Sequence, residues 1–113
     1  MSLDPVILRA LRATTTGTIH TILLKKGIRR TWMNGPSPIF QAEERIVGPA
    51  FTLRFVPARE DLATPESWSS PRSTRAAIEE MPEGAVCVID AMGVTDAGVF
   101  GDILCARMHK RGV

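Results

Sequence analysis

The chain has 113 residues, 44% of them hydrophobic and 23% charged, the composition of one ordinary globular domain and not of a disordered or fibrous chain. A net charge of +2 excludes the dense basic surface of a dedicated nucleic-acid binder, so no direct nucleic-acid partner is expected. No apolar run reaches the length of a membrane span, which excludes a helical membrane anchor and points to a cytoplasmic chain.

Asp4-Pro5 is a helix-start pair, with the carboxylate as cap and proline at the first helical position. Ile7, Leu8 and Leu11 then share one face, which predicts a short amphipathic helix to about Arg12. Thr14-Thr15-Thr16 can cap a second helix with an Ile19, Ile22, Leu23 stripe, Lys25-Lys26 against its dipole and Gly27 at its end. Asn34-Gly35-Pro36-Ser37-Pro38 is a turn cluster.

From Ile46 to Val56 the period changes to that of a strand, with Phe51, Leu53 and Phe55 alternating with Thr52, Arg54 and Val56. Pro57 to Ser73 reads as a long surface loop. A helix beginning at Ser70-Pro71 buries Thr74, Ala77, Ile78 and Met81 and is closed by Pro82 and Gly84. Val86-Cys87-Val88-Ile89 is an unbroken apolar run, as expected of a strand covered on both faces. The last helix runs from about Ile103 to Arg111, with Asp102 as N-cap and Gly112 as C-cap. The strand-helix-strand-helix order predicts an α/β fold, with residues 1–44 a helical segment and 45–113 the α/β part of a single domain.

Cys87 and Cys105 form no CxxC motif and read as buried thiols in a reducing compartment. With two histidines in the chain, a structural zinc site is not expected. Gly98-x-x-Gly101-Asp102-Ile103-Leu104 is the strongest chemical candidate. The first amides of a helix lack internal acceptors and can bind an anion, glycine allows close backbone approach, and a carboxylate can hold a divalent cation directly or through water. The same residues would equally make an ordinary helix cap. Asp90, at the carboxyl end of a strand, and Asp96 flank the same loop, and either can be a turn residue. His20 reads as a packed or surface histidine, and Arg54, Arg59, Glu60 and Asp61 as solvated charge or a contact to ligand or neighbour. Trp32 and Trp68 lie in loop-like segments and suit burial against another chain.

Three ordered stretches carry a resemblance. They are Arg45-Ile46-Val47-Gly48-Pro49-Ala50-Phe51-Thr52-Leu53, Val88-Ile89-Asp90 with Gly93, and Gly98-x-x-Gly101-Asp102-Ile103-Leu104-x-Ala106. Together, from about Thr14 onward, they resemble the RraA-like family, which holds the regulator of ribonuclease E activity A and metal-dependent 4-hydroxy-4-methyl-2-oxoglutarate aldolases. The resemblance implies a swivelling β/β/α sandwich, assembled as a homotrimer or trimer-based hexamer with sites between subunits. It implies that Asp102 is catalytic and holds Mg²⁺ or Mn²⁺ through water. It also implies that Gly101 and the amides of Ile103 and Leu104 hold the pyruvoyl part of a small 2-oxo acid, with Asp90 and Gly98 as further candidates.

The family's pattern continues to an Arg-Asp pair about twenty residues after that aspartate, whereas eleven residues follow Asp102 here. The expectation is therefore an N-terminal half of the domain, inactive alone, derived from an aldolase or decarboxylase that releases pyruvate from 4-hydroxy-2-oxo acids. The alternative is a non-catalytic protein that regulates a ribonuclease by binding it.

Overall fold

The computed structural model describes residues 3–41 and 44–113. They fall into two units, residues 3–47 and 48–113.

In the first unit, α1 spans Pro5–Ala13 and α2 spans Thr16–Lys25. Asp4 caps α1 by accepting from the Val6 amide at 2.7 Å, and the Thr15 hydroxyl caps α2 by accepting from Thr18 at 3.2 Å. The α2 end closes with Gly27 donating to Leu24 and Ile28 to Leu23, the paired bonds of a Schellman motif. Arg45 reaches back to the carbonyl of Arg12 at 2.7 Å, satisfying an open acceptor at the end of α1. His20 packs its Nδ1 against the Thr31 hydroxyl at 2.6 Å, which ties α2 to the segment that follows it. None of the described residues of this unit is fully buried.

The second unit is a β-α-β arrangement followed by a helix. Strands β1 (Ala50–Arg54) and β2 (Val86–Asp90) pair in parallel, in register from Ala50 opposite Val86 to Arg54 opposite Asp90. Helix α3 (Thr74–Glu80) connects them, and α4 (Asp102–Lys110) follows. This is the α/β class that the alternation predicts, with a two-stranded sheet among the described residues.

β1 is shorter than the Ile46–Val56 stretch, but its alternation holds: Phe51 and Leu53 are half-buried while Ala50, Thr52 and Arg54 are exposed. Phe55 lies just past the strand, where its amide donates to Asp90 at 2.9 Å and its ring meets Phe100 edge-on at 6.5 Å. β2 differs from expectation, since its four apolar residues are half-buried rather than covered on both faces. Full burial of a parallel strand needs neighbours on both edges and a layer on both faces, and here β1 pairs along one edge alone.

The Pro57–Ser73 loop contains a short 3-10 helix, Pro65–Ser69, that holds Trp68. α3 begins at Thr74 rather than at Ser70-Pro71. Ser70 instead accepts from the Ser73 amide in a turn, and the Ser73 hydroxyl takes the Ala76 amide at 3.2 Å as the true cap. The predicted face is the one that packs: Ile78 and Met81 are buried, Thr74 and Ala77 half-buried, and with Ala85 they form the core.

Before β1 the backbone passes so close to the α3–β2 turn that a Cβ on Gly48 would lie 2.1 Å from the Gly84 carbonyl. Only glycine permits that approach. Gly48→Ala should therefore cost about 1–3 kcal/mol in urea unfolding, as overpacking against backbone does. Gly98→Ala, with nothing within 4 Å of its Cβ, should leave the midpoint nearly unchanged.

Candidate functional site

The start of α4 sits one residue earlier than expected. Gly101 is the N-cap, extended at φ −101° and ψ 173°, and Asp102 is the first helical residue. A glycine cap has no side chain to offer, and the Asp102 carboxylate turns onto the next amide, accepting from Ile103 at 2.8 Å. Cys105 donates to the Gly101 carbonyl at 3.0 Å, closing the first turn. The Leu104 amide has no acceptor among the described residues. Two adjacent amides thus face outward at the helix start, one met by a carboxylate that can move aside and one open.

The other end of α4 is held firmly. Arg107, His109 and Lys110 occupy its last turn, where cations suit the helix dipole. Gly112, at φ 74°, donates to His109 while Val113 donates to Met108, closing a Schellman motif. Arg107 grips Glu79 of α3 in a two-pronged pair, Nε to Oε1 at 2.7 Å and Nη2 to Oε2 at 2.8 Å. Arg111 adds a bond to Glu79 Oε2 at 3.1 Å and donates to the Glu79 and Met81 carbonyls at 2.7 and 3.1 Å, so it satisfies acceptors at the end of α3.

Held this way, α3, α4 and the 3-10 helix enclose two adjoining clefts. One, of about 440 Å³, is lined by Gly101, Asp102, Ile103 and Leu104 together with Trp68, Ser73, Thr74 and Arg75. The other, about 650 Å³, shares Trp68, Ser73, Arg75, Ile103 and Leu104 and extends to Glu79 and Arg107. Four of the sequence-predicted site residues therefore line one cleft.

Asp90 and Gly98 line neither cleft. Asp90 accepts from the Met92 amide at 2.9 Å and lies 3.5 Å from Arg54, a turn role supported by the positive φ of Met92 and Gly93. Gly98 and Gly101 have neither a positive φ nor any neighbour within 4 Å of a Cβ, so the fold itself does not demand glycine at either place. For a divalent cation, Asp102 offers one exposed carboxylate, and no group of three or more His, Cys, Asp or Glu exists among the described residues. These residues do not make a complete metal site, since a hard cation usually takes at least one or two carboxylates beside its waters.

Arg75 and the Glu79–Arg107–Arg111 cluster were not legible as site residues, because their partners sit on another helix and no sequence spacing pairs them. Arg59 pairs with Asp61 within its own loop, the bland outcome for that charged cluster. Among the cysteines, Cys87 is half-buried but Cys105 is exposed, contrary to the buried reading. It lies on a face of α4 that no other element covers, so helical position alone misjudged it.

Burial pushes the Cys87 thiol above its ordinary pKa. A thiol reagent should therefore label Cys105 of the folded chain first and Cys87 much more slowly, measured by mass spectrometry. The Arg107 guanidinium holds the Glu79 carboxyl below the ordinary carboxylate range. Its contribution to stability is then complete above that range and is lost as the pH falls through the lowered value. Urea midpoints taken from neutral to acid pH should show less acid destabilisation in Glu79→Gln, which starts less stable at neutral pH.

No curated protein and no solved structure matches the chain. A family model described as RraA-like, Aldolase/RraA, matches residues 8–113, and this stretch contains both strands, α2–α4 and the cleft at Asp102. The chain belongs to the RraA-like family.

Proposed function

We propose that this chain carries one half of the site of a divalent-metal-dependent aldolase or decarboxylase that releases pyruvate from a 4-hydroxy-2-oxo acid. Within the RraA-like family, which spans aldolases and ribonuclease regulators, the observation that favours the enzymatic reading is the amide pair of Ile103 and Leu104 at the mouth of a cleft. Two neighbouring N–H groups at a helix start suit the two oxygens of a carboxylate or a carboxylate and its adjacent 2-oxo group.

The Ile103 amide is held by Asp102 at 2.8 Å, so an incoming carboxylate must displace that carboxylate to use it. Binding would then free Asp102 to accept a hydrogen bond from a water in the shell of Mg²⁺ or Mn²⁺. When bound, such a cation supplies polarisation of the 2-oxo group. Asp102 is one contact toward it, and this reading draws the remaining ligands, the Arg-Asp pair of the family pattern and the acidic residue of a neighbouring subunit from outside residues 1–113. A homotrimer or a trimer-based hexamer is part of the same reading. The exposed Ile39, Phe40 and Ile46 are apolar surface that such an assembly would cover.

Amide spectra of the chain titrated with pyruvate test the binding half: Ile103 and Leu104 should be the residues most shifted. In an assembly that includes the Arg-Asp pair, pyruvate release from 4-hydroxy-4-methyl-2-oxoglutarate should require Mg²⁺ or Mn²⁺. There Asp102→Ala should lower it about 10- to 100-fold, as loss of an outer-shell partner does. Metal-independent release, or ribonuclease inhibition that survives Asp102→Ala in a protein without lyase activity, would defeat the enzymatic reading.

A further inference from the structure

The cleft at Asp102 is larger than a pyruvoyl group requires. Its 440 Å³ joins the neighbouring 650 Å³ through five shared residues, and both volumes lie in the range of small-molecule sites. A pyruvoyl group at the Ile103 and Leu104 amides would fill one end of this trough and leave the stretch toward Glu79 and Arg107 empty.

The charges along that stretch are unequal in their partners. Glu79 and Arg107 neutralise each other through the bonds at 2.7 and 2.8 Å. Asp102 is engaged with the Ile103 amide. Arg75 lines both clefts, yet forms no ion pair or side-chain hydrogen bond among the described residues. It is therefore the cation of the trough without a paired anion. Beside it Trp68 is 72% exposed and Ile103 79% exposed, two large apolar surfaces on the lining of one cleft.

From this geometry we propose that Trp68 and Arg75 form the specificity subsite for the group carried beyond the pyruvoyl unit, and that this group ends in a carboxylate. The inference rests on the aldolase reading above. Arg75 binds the second carboxylate, for which a planar guanidinium is well shaped, and the Trp68 indole packs the carbon chain between the two ends. Neither residue contacts the reacting bond, so both act on which acid binds rather than on the chemical step.

The test uses the 113-residue chain, with amide spectra recorded in Mg²⁺-containing buffer during titration with pyruvate and, separately, with 4-hydroxy-2-oxoglutarate. Both acids should shift Ile103 and Leu104, and the longer acid should bind about tenfold more tightly, the scale of one charge-assisted hydrogen-bonded contact. Arg75→Gln should remove that advantage and leave pyruvate binding unchanged, and Arg75→Lys should restore part of it. Trp68→Ala should weaken the longer acid severalfold without altering the sedimentation coefficient.

If pyruvate shifts both amides but the longer acid binds no tighter, or binds Arg75→Gln as well as the native chain, the subsite is wrong and the aldolase reading stands. If pyruvate shifts neither amide, the aldolase reading fails and the subsite falls with it. If Trp68→Ala changes the association state and not the affinity for the longer acid, the trough is an interface between copies and the proposal is overturned.

Discussion

Two arginines on one face of α4 reach across to the end of α3, and the shape of the cleft depends on that clasp. Arg107 and Arg111 lie four residues apart, so one helix face presents both guanidinium groups to Glu79. The ion pairs are solvent-exposed, and their energetic worth is accordingly small. Their structural worth is larger, because Arg111 also donates to the carbonyls of Glu79 and Met81 and so ends α3 while orienting α4. The starts of both helices, with Ser73, Thr74 and Arg75 on one and Gly101 to Leu104 on the other, are thereby set across from Trp68.

Below that clasp the core is small. Ile78, Met81 and Ala85 are its buried residues, and they lie on the turn that carries the chain from α3 into β2. The close pass of Gly48 over Gly84, with Val86 donating to Pro49 at 2.9 Å, sets where β1 begins relative to β2. The Gly84 amide also donates to the Gly112 carbonyl at 2.8 Å, so one turn contacts both the entry to β1 and the end of α4. Strand register, helix placement and cleft geometry therefore share a single backbone junction.

At the site itself, a carboxylate and two amides compete for the same bonds. Asp102 answers the Ile103 amide until something better placed does, and in answering it occupies the position an anionic ligand would need. In the proposed reaction this makes ligand entry and the release of Asp102 a single exchange. The uncompensated Arg75 further along the trough then biases which anion enters.

Local signals carried the elements well where a short stretch of chain holds all the needed information. The Asp4 cap, the glycine closures after α2 and α4, the alternating faces of β1 and the packed face of α3 all follow from residues within a few positions of one another. The same locality made Gly101-Asp102-Ile103-Leu104 recognisable as a helix start with anion-binding amides, and its ordered motifs marked the family. Signals failed by small amounts where two local partners compete, as at Ser70 against Ser73 and Asp102 against Gly101. They failed entirely where the partner is distant in sequence. The exposure of Cys105, the half-burial of β2, the Glu79–Arg107–Arg111 clasp and the meeting of Trp68 and Arg75 with Asp102 are decided by which surfaces pack together. The sequence by itself determined the helices, the strand faces and the ligand-ready amides, because capping and periodicity act over one or two turns. Only the tertiary structure decided what those amides face, because burial and charge pairing depend on contacts between residues far apart along the chain.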